Sequence, residues 1–513
     1  MSQPLTSLSI TAPGFFGINR QDASIDLPIG FAQLADNCVI DRYGRLGARH
    51  GWTKANTTSA ELSTANVTAM GELITSTGVS YILCAGNNKL FKLASGALTE
   101  LTYGGGGAAP TITASNWQIV TLNGIAYFFQ SAYDTLIFDP TVSATSYRRV
   151  TEKAGYVATI PLANTAISAF GRIWCADTTT DKKTIAWSDL SSGHIWSTGT
   201  AGTLDLTTVW VYGADEIVTI AAHNNFLIIF GRRQILVYSG ASNPATMALS
   251  DTISGIGCVA RDSVQNTGTD LIFLSQTGVR SLMRTIQEKS APLRDISKNI
   301  RDHLVSDVVG ETAANIKSIY SDINAFYLLT IPTSTETYCF DTRHPLEDGS
   351  YRVTVWDLVP KSFCVTRDKK LYMGKAGYIG EYTGYLDDTS SYFIKWYSTH
   401  MKLGEPNRES ILKKIGLVAV GGNGQTITFK YAYNYLTNYQ QENLVMPVNA
   451  SSHYAVAHYN IGHYAMQTDL NNLNVNIGGS GKIVQIGLEA EINGIALSFQ
   501  KVDIYAKVGK LMP

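Results

Sequence analysis

Short apolar segments separated by polar or glycine-containing turns recur from about residue 70 to residue 385. In "VSYILCAGNNKLFKLASGALTEL" (79–101), three apolar strands are separated by the turns GNN and ASG. In "WQIVTLNGIAYFFQSAYDTLIFDP" (117–140), the first turn is Asn123-Gly124, a strong hairpin signal because both residue types adopt positive φ readily. Equivalent segments follow at 167–190, 217–240, 257–283, 316–341 and 362–384. The pattern predicts six or seven small antiparallel meanders.

The repeated meanders must stack on one another, because a lone meander cannot bury both of its faces. Radial stacking into a β-propeller fits a repeat of roughly 40–55 residues and the scarcity of helical patterns. A linear solenoid usually has shorter and more regular repeats, and a sandwich does not need so many equivalent meanders. We therefore predict an all-β chain built on a β-propeller of six or seven blades.

One segment, "APLRDISKNIRDHLVSD" (291–307), has helical instead of strand periodicity. Its apolar stripe consists of Leu293, Ile296, Ile300 and Leu304. Pro292 suits the first turn of a helix. The remaining faces carry the basic residues Arg294, Lys298, Arg301 and His303. The segment predicts one inserted helix, either packed on the propeller rim or docked on a neighbouring subunit.

The pattern changes again after about residue 390. Two strand–turn–strand units, at 410–435 and 481–509, enclose a segment (436–480) that is rich in Asn, Tyr and His and reads as a long loop. We therefore predict a C-terminal β-sandwich or barrel. The expected division of the chain is an N-terminal lead-in arm and hairpin at 1–60, the propeller at 61–388 and the C-terminal β domain at 389–513.

Composition narrows the possible partners. Charged residues make up 16% of the chain, below the roughly 25% of an ordinary soluble domain, and apolar residues make up 45%. The net charge is −1, without a basic tail or an acidic block. A dedicated nucleic-acid binder usually has a basic excess, so we do not expect tight DNA binding. A channel that DNA merely traverses does not need such an excess.

The cysteines and the N-terminal residues bear on the compartment. The six cysteines are Cys38, Cys84, Cys175, Cys258, Cys339 and Cys364. They contain no CxxC pair, so we interpret them as free, mostly buried thiols of a protein made in a reducing cytoplasm. We expect neither a signal peptide nor a membrane helix, since no apolar run approaches about 18 residues.

The sequence contains no catalytic motif. The glycine stretch at 104–107 lacks the lysine of a P-loop, and there is no GxGxxG after a strand, no GxSxG and no HExxH. "HYAVAHYNIGHY" places His453, His458 and His463 at a five-residue period, which fits neither a strand face nor a helix face and favours a contact loop over a metal site. We predict no enzyme, no cofactor and no metal.

Carboxylates near a propeller axis would indicate a glycosidase. Here most acidic residues fall at predicted strand ends, where Asp commonly caps turns: Asp139, Asp177, Asp189, Asp215, Asp270, Asp341 and Asp357. A carbohydrate-binding or carbohydrate-cleaving propeller remains the alternative function.

The stretch "LADNCVIDRYGRLGARHGW" (34–52) carries Arg45, Arg49 and His50 around a glycine turn. It contains no phosphate loop, nucleophile or metal-ligand set. We interpret it as a lead-in hairpin whose second strand enters the propeller. Its arginines are expected to meet a carboxylate on the C-terminal domain or on a neighbouring subunit. The candidate subunit-interface residues are Arg45, Arg49, Arg294 and Arg301.

Six ordered stretches together resemble the tail nozzle or hub proteins of short-tailed, podovirus-like phages, also called packaged-DNA stabilisation proteins. They are "NCVIDRYGRLGARHGW" (37–52), "NNFLIIFGRRQILVYSGAS" (224–242), "ISGIGCVARDSV…LIFLSQTGVRSL" (253–282), "SAPLRDISKNIRDHL" (290–304), "CFDTRHPLEDGSYRVTVWDL" (339–358) and "KIVQIGLEAEINGIALSFQKVDIYAK" (482–507). The chain has His50-Gly51 where the family often has Pro-Gly. The similarity is one of pattern and spans both ends and the middle of the chain.

The resemblance implies a structural virion protein of the phage tail, made in the cytoplasm of the host bacterium. It implies a homohexameric ring below the adaptor ring of the head-to-tail connector. The ring would line or close the exit channel for genomic DNA, without sequence-specific binding, and support a needle, fibres or spikes.

Overall fold

Six short strands precede the repeated meanders. The computed structural model describes residues 5–113, 116–288, 295–403, 408–448 and 470–511. The six strands are β1 (Leu5–Thr11), β2 (Gly17–Ile18), β3 (Phe31–Asp36), β4 (Cys38–Ile40), β5 (Leu46–Ala48) and β6 (Trp52–Lys54). Strands β4 and β5 form the expected hairpin, with Cys38 opposite Ala48.

Seven antiparallel meanders follow, where the sequence pattern predicts six or seven, and a parallel pairing between their last strands joins the first two into one eight-stranded sheet. The first contains β7 (Ala69–Ile74), β8 (Ser80–Gly86), β9 (Lys89–Ala94) and β10 (Ala97–Tyr103), and the second contains β11 (Gln118–Leu122), β12 (Ile125–Phe129), β13 (Leu136–Phe138) and β14 (Ser146–Arg149). The third contains β15 (Ala163–Ala169), β16 (Arg172–Thr178), β17 (Thr184–Trp187) and β18 (Gly202–Asp205), and the fourth contains β19 (Ile217–His223), β20 (Phe226–Gly231), β21 (Gln234–Ser239) and β22 (Ala248–Ser254). The fifth contains β23 (Gln265–Asn266), β24 (Leu271–Ser275) and β25 (Gly278–Ser281), and the sixth contains β26 (Lys317–Ser321), β27 (Phe326–Ile331), β28 (Glu336–Asp341) and β29 (Arg352–Trp356). The seventh contains β30 (Ser362–Val365), β31 (Leu371–Gly374) and β32 (Ile379–Tyr382).

These meanders are the seven blades of a closed β-propeller. The innermost strands β7, β11, β15 and β19 contact one another in turn, as do β23, β26, β30 and β7. Asn266 of β23 donates a hydrogen bond to the carbonyl oxygen of Ala222 in β19, which completes the ring. Strand β6 is the fourth strand of the seventh blade, with Trp52 opposite Tyr382. A strand that precedes the first blade therefore closes the last one, and hydrogen bonds hold the ring shut.

The apolar runs of the sequence become the middle strands of the blades because neighbouring blades cover both of their faces. All six residues of β27 are buried. Trp174 of β16 is fully buried in the core between the third and fourth blades. The Asn123-Gly124 turn joins β11 to β12 with φ of 52° and 77°, as its residue types predict.

The C-terminal residues form a β-sandwich. Its strands are β33 (Tyr392–Ser398), β34 (Met401–Lys402), β35 (Arg408–Gly421), β36 (Thr426–Tyr433), β37 (Gln440–Val445), β38 (Leu470–Asn476), β39 (Ser480–Gly481), β40 (Ile483–Ile492) and β41 (Leu497–Leu511). One sheet has the order β38-β35-β41-β5-β4, with β1 also on β41, and the other has the order β3-β33-β40-β36-β37 and continues into β29 through β2. Leu417, Phe429 and Leu488 are among the fully buried residues of the core between the sheets.

The expected separate N-terminal arm at 1–60 is instead divided between the two β structures. Strand β1 pairs with β41 along its whole length, from Leu5 opposite Lys507 to Thr11 opposite Lys501. Strand β3 pairs with β33, and β5 pairs with β41. Strand β6 enters the propeller as part of the seventh blade, and β2 and β3 each pair with β29 of the sixth blade. Pairing between residues about 500 positions apart leaves no local signal in the sequence, so the pattern could not reveal this arrangement.

The helical segment differs from its prediction in extent. Helix α1 spans Leu282–Glu288, and α2 spans Arg301–Val309 after a 3-10 turn at Lys298–Ile300. Ile296, Ile300 and Leu304 are buried as the stripe predicts, but only Leu304 of the three lies within an α-helix. Residues 289–294, with Leu293 and Arg294, lie outside the described residues. No helix in the described part of the chain is long and apolar enough to cross a membrane.

Candidate functional site at the junction of propeller and sandwich

Arg49 lies in the short connection between β5 of the sandwich and β6 of the propeller, and its side chain is fully buried. Its Nη1 and Nη2 atoms donate to the two carboxylate oxygens of Asp387 at 2.8 Å each. Nη2 also donates to Asp357 Oδ1 at 3.2 Å, Nε to Asn37 Oδ1 at 2.9 Å and Nη1 to the carbonyl oxygen of His50 at 3.0 Å. All five N–H groups of the guanidinium thus have acceptors within this one chain.

Aromatic packing completes the surroundings of Arg49. The guanidinium carbon lies 4.1 Å from the ring centroid of Tyr392, whose hydroxyl donates to the carbonyl oxygen of Arg49. Burial by itself lowers the pKa of Arg49, but the hydrogen bonds and the charge of Asp387 more than reverse that effect. Arg49 therefore fastens the turn after β32 to the start of β6. It is not a subunit-interface residue, because its side chain has no exposed surface.

A cleft of about 580 Å³ opens beside this ion pair. Its charged lining residues are Asp36, Asp357, Lys375, Asp387 and Lys395, and Trp52 forms part of the wall. Burial raises the pKa of Asp36 to about 6, against the opposing charges of Arg20 and Lys395. Burial also lowers the pKa of Lys375. Perturbed acids and bases in a cleft are typical of functional sites, which makes this the first candidate site.

The central channel of the propeller is a second polar cavity, of about 390 Å³. Each blade, or the loop that leads into it, contributes an uncharged polar residue to its wall: Thr68, Gln118, Ser168, Thr219, Gln265, Ser318 and Ser362. Arg261 lines both this channel and a neighbouring cavity, and its Nη2 donates to the carbonyl oxygen of Trp117 at 3.1 Å. Although burial opposes it, the charges of Arg261 and Lys317 hold the pKa of Asp262 well below its usual range. Arg261 and Lys317 both pair with Asp262, and the other polar residues that line the channel are uncharged.

The other candidate interface residues have different environments. Arg45 is half-buried, donates through Nε to Gln500 Oε1 of β41, and lies with its guanidinium carbon 4.5 Å from the ring centroid of the exposed Tyr43. Its partner in the sandwich is thus an amide instead of the expected carboxylate. Arg301 is exposed at the start of α2. Arg294, His453, His458 and His463 lie outside the described residues.

Several of the strand-end aspartates cap turns, as their positions predict. Asp189 accepts from the amide of Thr200 at 2.8 Å, Asp215 from that of Arg233 at 2.8 Å and Asp270 from that of Leu271 at 2.7 Å. Asp341 also accepts from a backbone amide, that of Arg343 at 3.4 Å, but its surroundings differ. It is buried opposite Arg352, and burial raises its pKa to about 6.

One cluster of potential metal ligands was not visible in the sequence. His303 and Asp307 of α2 and Glu336 of β28 place ligand atoms within 4.8 Å of one another. Arg20 Nη1 lies 3.2 Å from His303 Nε2 and 3.3 Å from Glu336 Oε2. Arg20 therefore pairs with Glu336, and Asp307 accepts from the hydroxyl of Tyr338. We interpret the cluster as a hydrogen-bond and ion-pair network.

All six cysteines are buried and free. Burial raises the pKa of each thiol, for example that of Cys258 to about 11. Such thiols are poor nucleophiles, which agrees with the interpretation of these residues as core side chains.

The chain matches no protein-family model and no curated protein. It is similar to several solved structures. PorZ, an essential bacterial surface component of the type-IX secretion system of Porphyromonas gingivalis, is 11% identical, with a TM-score of 0.35 over 64% of this chain and 37% of that chain. The extracellular domain of the putative one-component system BT4673 from B. thetaiotaomicron is 11% identical, with a TM-score of 0.40 over 77% of this chain and 48% of that chain. The chain thus spans less than half the length of these two proteins. The WD40 domain of Neurospora crassa Pan2 is 8% identical, with a TM-score of 0.38 over 65% of this chain and 96% of that domain.

Proposed function

We propose that this chain is a structural, non-catalytic subunit of a phage tail nozzle or hub ring. The ring would lie below the head-to-tail adaptor, line or close the exit channel for DNA, and support a needle, fibres or spikes. The proposal starts from the resemblance of the six ordered stretches to that family. It includes a location in the virion and assembly with copies of itself, as a homohexamer.

The observation that carries the proposal is the meeting of three of those stretches at the junction. The amide of Asn37 donates to the carbonyl oxygen of Val355 at 2.7 Å, which joins stretch 37–52 to stretch 339–358. Leu46 pairs with Phe499, which joins the first stretch to 482–507. Three of the six stretches that carry the resemblance therefore help to hold propeller and sandwich together. A subunit that must keep its shape while DNA passes needs such a junction.

The propeller channel supports a path for DNA between subunits instead of through one of them. The channel has a volume of only about 390 Å³. Duplex DNA does not fit into so small a space, since its major groove alone is about 12 Å wide. The near-neutral charge of the chain also suits a wall that DNA passes without being held.

Electron cryomicroscopy of the particle that contains this chain tests the proposal. We expect ring density on the tail axis, directly below the adaptor ring, into which the propeller and sandwich fit. The proposal would be contradicted if the density of this chain lay at a fibre tip, or if the assembled phage particle lacked the chain. A polysaccharide-degradation assay on the purified chain separates the alternative, since a carbohydrate-cleaving propeller releases reducing ends and a nozzle subunit does not.

A further inference from the structure

We propose that a groove on the outer face of the sandwich, continuous with the junction cleft, binds a neutral oligosaccharide. The inference stands on the lining of the groove and does not depend on the position of the chain in a virion. The groove begins in the junction cleft, part of whose wall belongs to the propeller, and is separate from the propeller channel.

Two clefts form this groove. The junction cleft, of about 580 Å³, and a second cleft, of about 400 Å³, share Lys395 of β33 as a lining residue. Alternate residues of β33 point out of the sandwich, so Phe393, Lys395 and Tyr397 follow one another along the groove. Neighbouring strands β3 and β40 contribute Asp36 and Glu489, which lie directly opposite Lys395 on its two sides. The result is a continuous surface that follows β33 from one cleft to the other.

Aromatic side chains occur along its whole length. Trp52 and Phe393 line the junction cleft, and Tyr397 and Tyr439 line the second cleft. Phe393, the second residue of β33, is 49% exposed although its side chain is large and apolar. The ring of Tyr397 lies over Gly487, where a Cβ atom would come within 2.6 Å of the ring, and this fixes its orientation. Rigid, half-exposed rings of this kind stack on the apolar faces of pyranose rings at little cost in conformational entropy.

Polar groups between the rings match sugar hydroxyls, which both donate and accept hydrogen bonds. No side chain in the described part of the protein hydrogen-bonds to the carboxylate of Asp36. The side chain of Asp357 is 68% exposed, and Ser390 and Ser391 lie beside it in the cleft. The carboxylates can accept from hydroxyls, and the serines can donate or accept.

The balance of charge selects a neutral ligand. Four acidic residues, Asp36, Asp357, Asp387 and Glu489, line the groove. Four basic residues neutralise them: Arg49 bonds Asp387 and Asp357, Lys430 bonds Glu489, and Lys375 and Lys395 line the groove. A nucleic acid or an acidic polysaccharide would need a basic excess, and a basic peptide would need an acidic one. A hydroxyl-rich neutral chain needs neither.

The first experiment incubates the purified full-length chain with a printed array of neutral and acidic bacterial-surface oligosaccharides. We expect retention on neutral glycans of at least three sugars, followed by titration calorimetry with the best soluble glycan. No binding stronger than about 1 mM would overturn the proposal, as would a preference for acidic glycans or for single-stranded DNA printed on the same array.

Variants assign the binding to the groove. Phe393→Ala and Asp36→Asn should each weaken the affinity about tenfold, because one removes a stacking ring and the other a charged hydrogen-bond acceptor. Phe393→Tyr should keep the affinity of the unmodified chain. Tyr212→Ala is the matched control, since Tyr212 is an exposed aromatic residue (76%) on the propeller, away from the groove. Equal affinities for Phe393→Ala and Tyr212→Ala, with both proteins folded by circular dichroism, would contradict the assignment.

Discussion

Arg49 and Asp387 form a bidentate ion pair with two N–O distances of 2.8 Å, although 338 residues separate them in the chain. The pair joins the entry to β6 to the turn that follows β32, the two strands whose pairing closes the propeller. It also lies at the point where the N-terminal strands leave the sandwich. One buried guanidinium therefore connects the closure of the ring to the attachment of the second β structure.

Arg49→Ala should lower the free energy of unfolding by about 3 kcal/mol, because it leaves Asp387 and Asn37 without their charged donor in a buried place. Urea denaturation followed by tryptophan fluorescence measures the change. Arg42→Ala is the control: Arg42 is exposed on the same hairpin, and its loss should change stability by no more than about 0.5 kcal/mol. Equal stabilities of the two variants would show that the ion pair contributes nothing net.

Gly51→Ala should destabilise the closure of the propeller by about 2 kcal/mol or more. A Cβ at residue 51 would lie 1.8 Å from the carbonyl oxygen of Leu386. The backbone at the start of β6 would therefore have to move away from the turn that contains Leu386. The melting temperature and the rate of proteolysis near residue 54 measure the effect. In Gly106→Ala the new Cβ meets open space, and that variant should behave like the unmodified protein.

Asp36 should make the protein less stable as the pH rises from about 4 to about 6. Its pKa in the folded state is raised from 3.8 to about 6, so over this range the folded state binds a proton that the unfolded state has released. Asp36→Asn removes the free-energy cost of ionising this half-buried carboxyl group. It should be more stable than the unmodified protein by on the order of 1 kcal/mol at pH 7 and equally stable near pH 4. Asp368→Asn, on an exposed side chain, should show no such pH-dependent difference; a constant offset between pH 4 and 7 for Asp36→Asn would contradict the assignment.

Ring assembly should depend on Arg301, which is exposed, and on Arg45, which is half-buried. Arg301→Glu and Arg45→Glu reverse a charge on a surface that the proposed ring would bury, and each should shift the sedimentation profile from the hexamer toward the 55.7 kDa monomer. Arg367→Glu, on the seventh blade, is the matched charge reversal and should leave the profile unchanged. An unaltered hexamer in both test variants would remove Arg45 and Arg301 from the interface.

The purified chain should not bind DNA tightly. With a net charge of −1 it has no excess of cations with which to displace the counterions of DNA. Fluorescence anisotropy with a labelled duplex, between about 50 and 200 mM salt, should give dissociation constants above the micromolar range and a shallow dependence on salt. Sub-micromolar affinity at physiological salt would contradict this expectation.

Local patterns predicted the repeated part of the fold well. The seven meanders match the seven blades because each hairpin is encoded by neighbouring residues, as in Asn123-Gly124. The fourth strand of most blades was missed, since outer strands such as β18 (burial alternating between half-buried and exposed) lack a strong apolar run. The stripe of Ile296, Ile300 and Leu304 predicted burial correctly, but the α-helix begins later than the stripe does.

The sequence indicated only part of the candidate site. Arg49 stands out in the sequence beside a glycine and a tryptophan, but Asp387 lies in an ordinary-looking "LDDTSS" turn, and Asp36 is one aspartate among many. Nothing near these carboxylates in the chain indicates that they share a cleft. We expected Arg49 to meet a carboxylate on the C-terminal domain or on a neighbouring subunit. Its carboxylate partners are instead Asp387 and Asp357, next to strands of the propeller, because burial depends on contacts between distant segments.

The sequence by itself determined the β content, the meanders, their turns and the neutral charge, because each of these follows from residues close together in the chain or from composition. The tertiary structure alone decided the closure of the ring by β6, the union of both ends of the chain in one sandwich, and the environment of Arg49. Hydrogen bonds between strands and ion pairs between buried groups require only that the partners meet in space, and their separation along the chain leaves no periodic pattern to read.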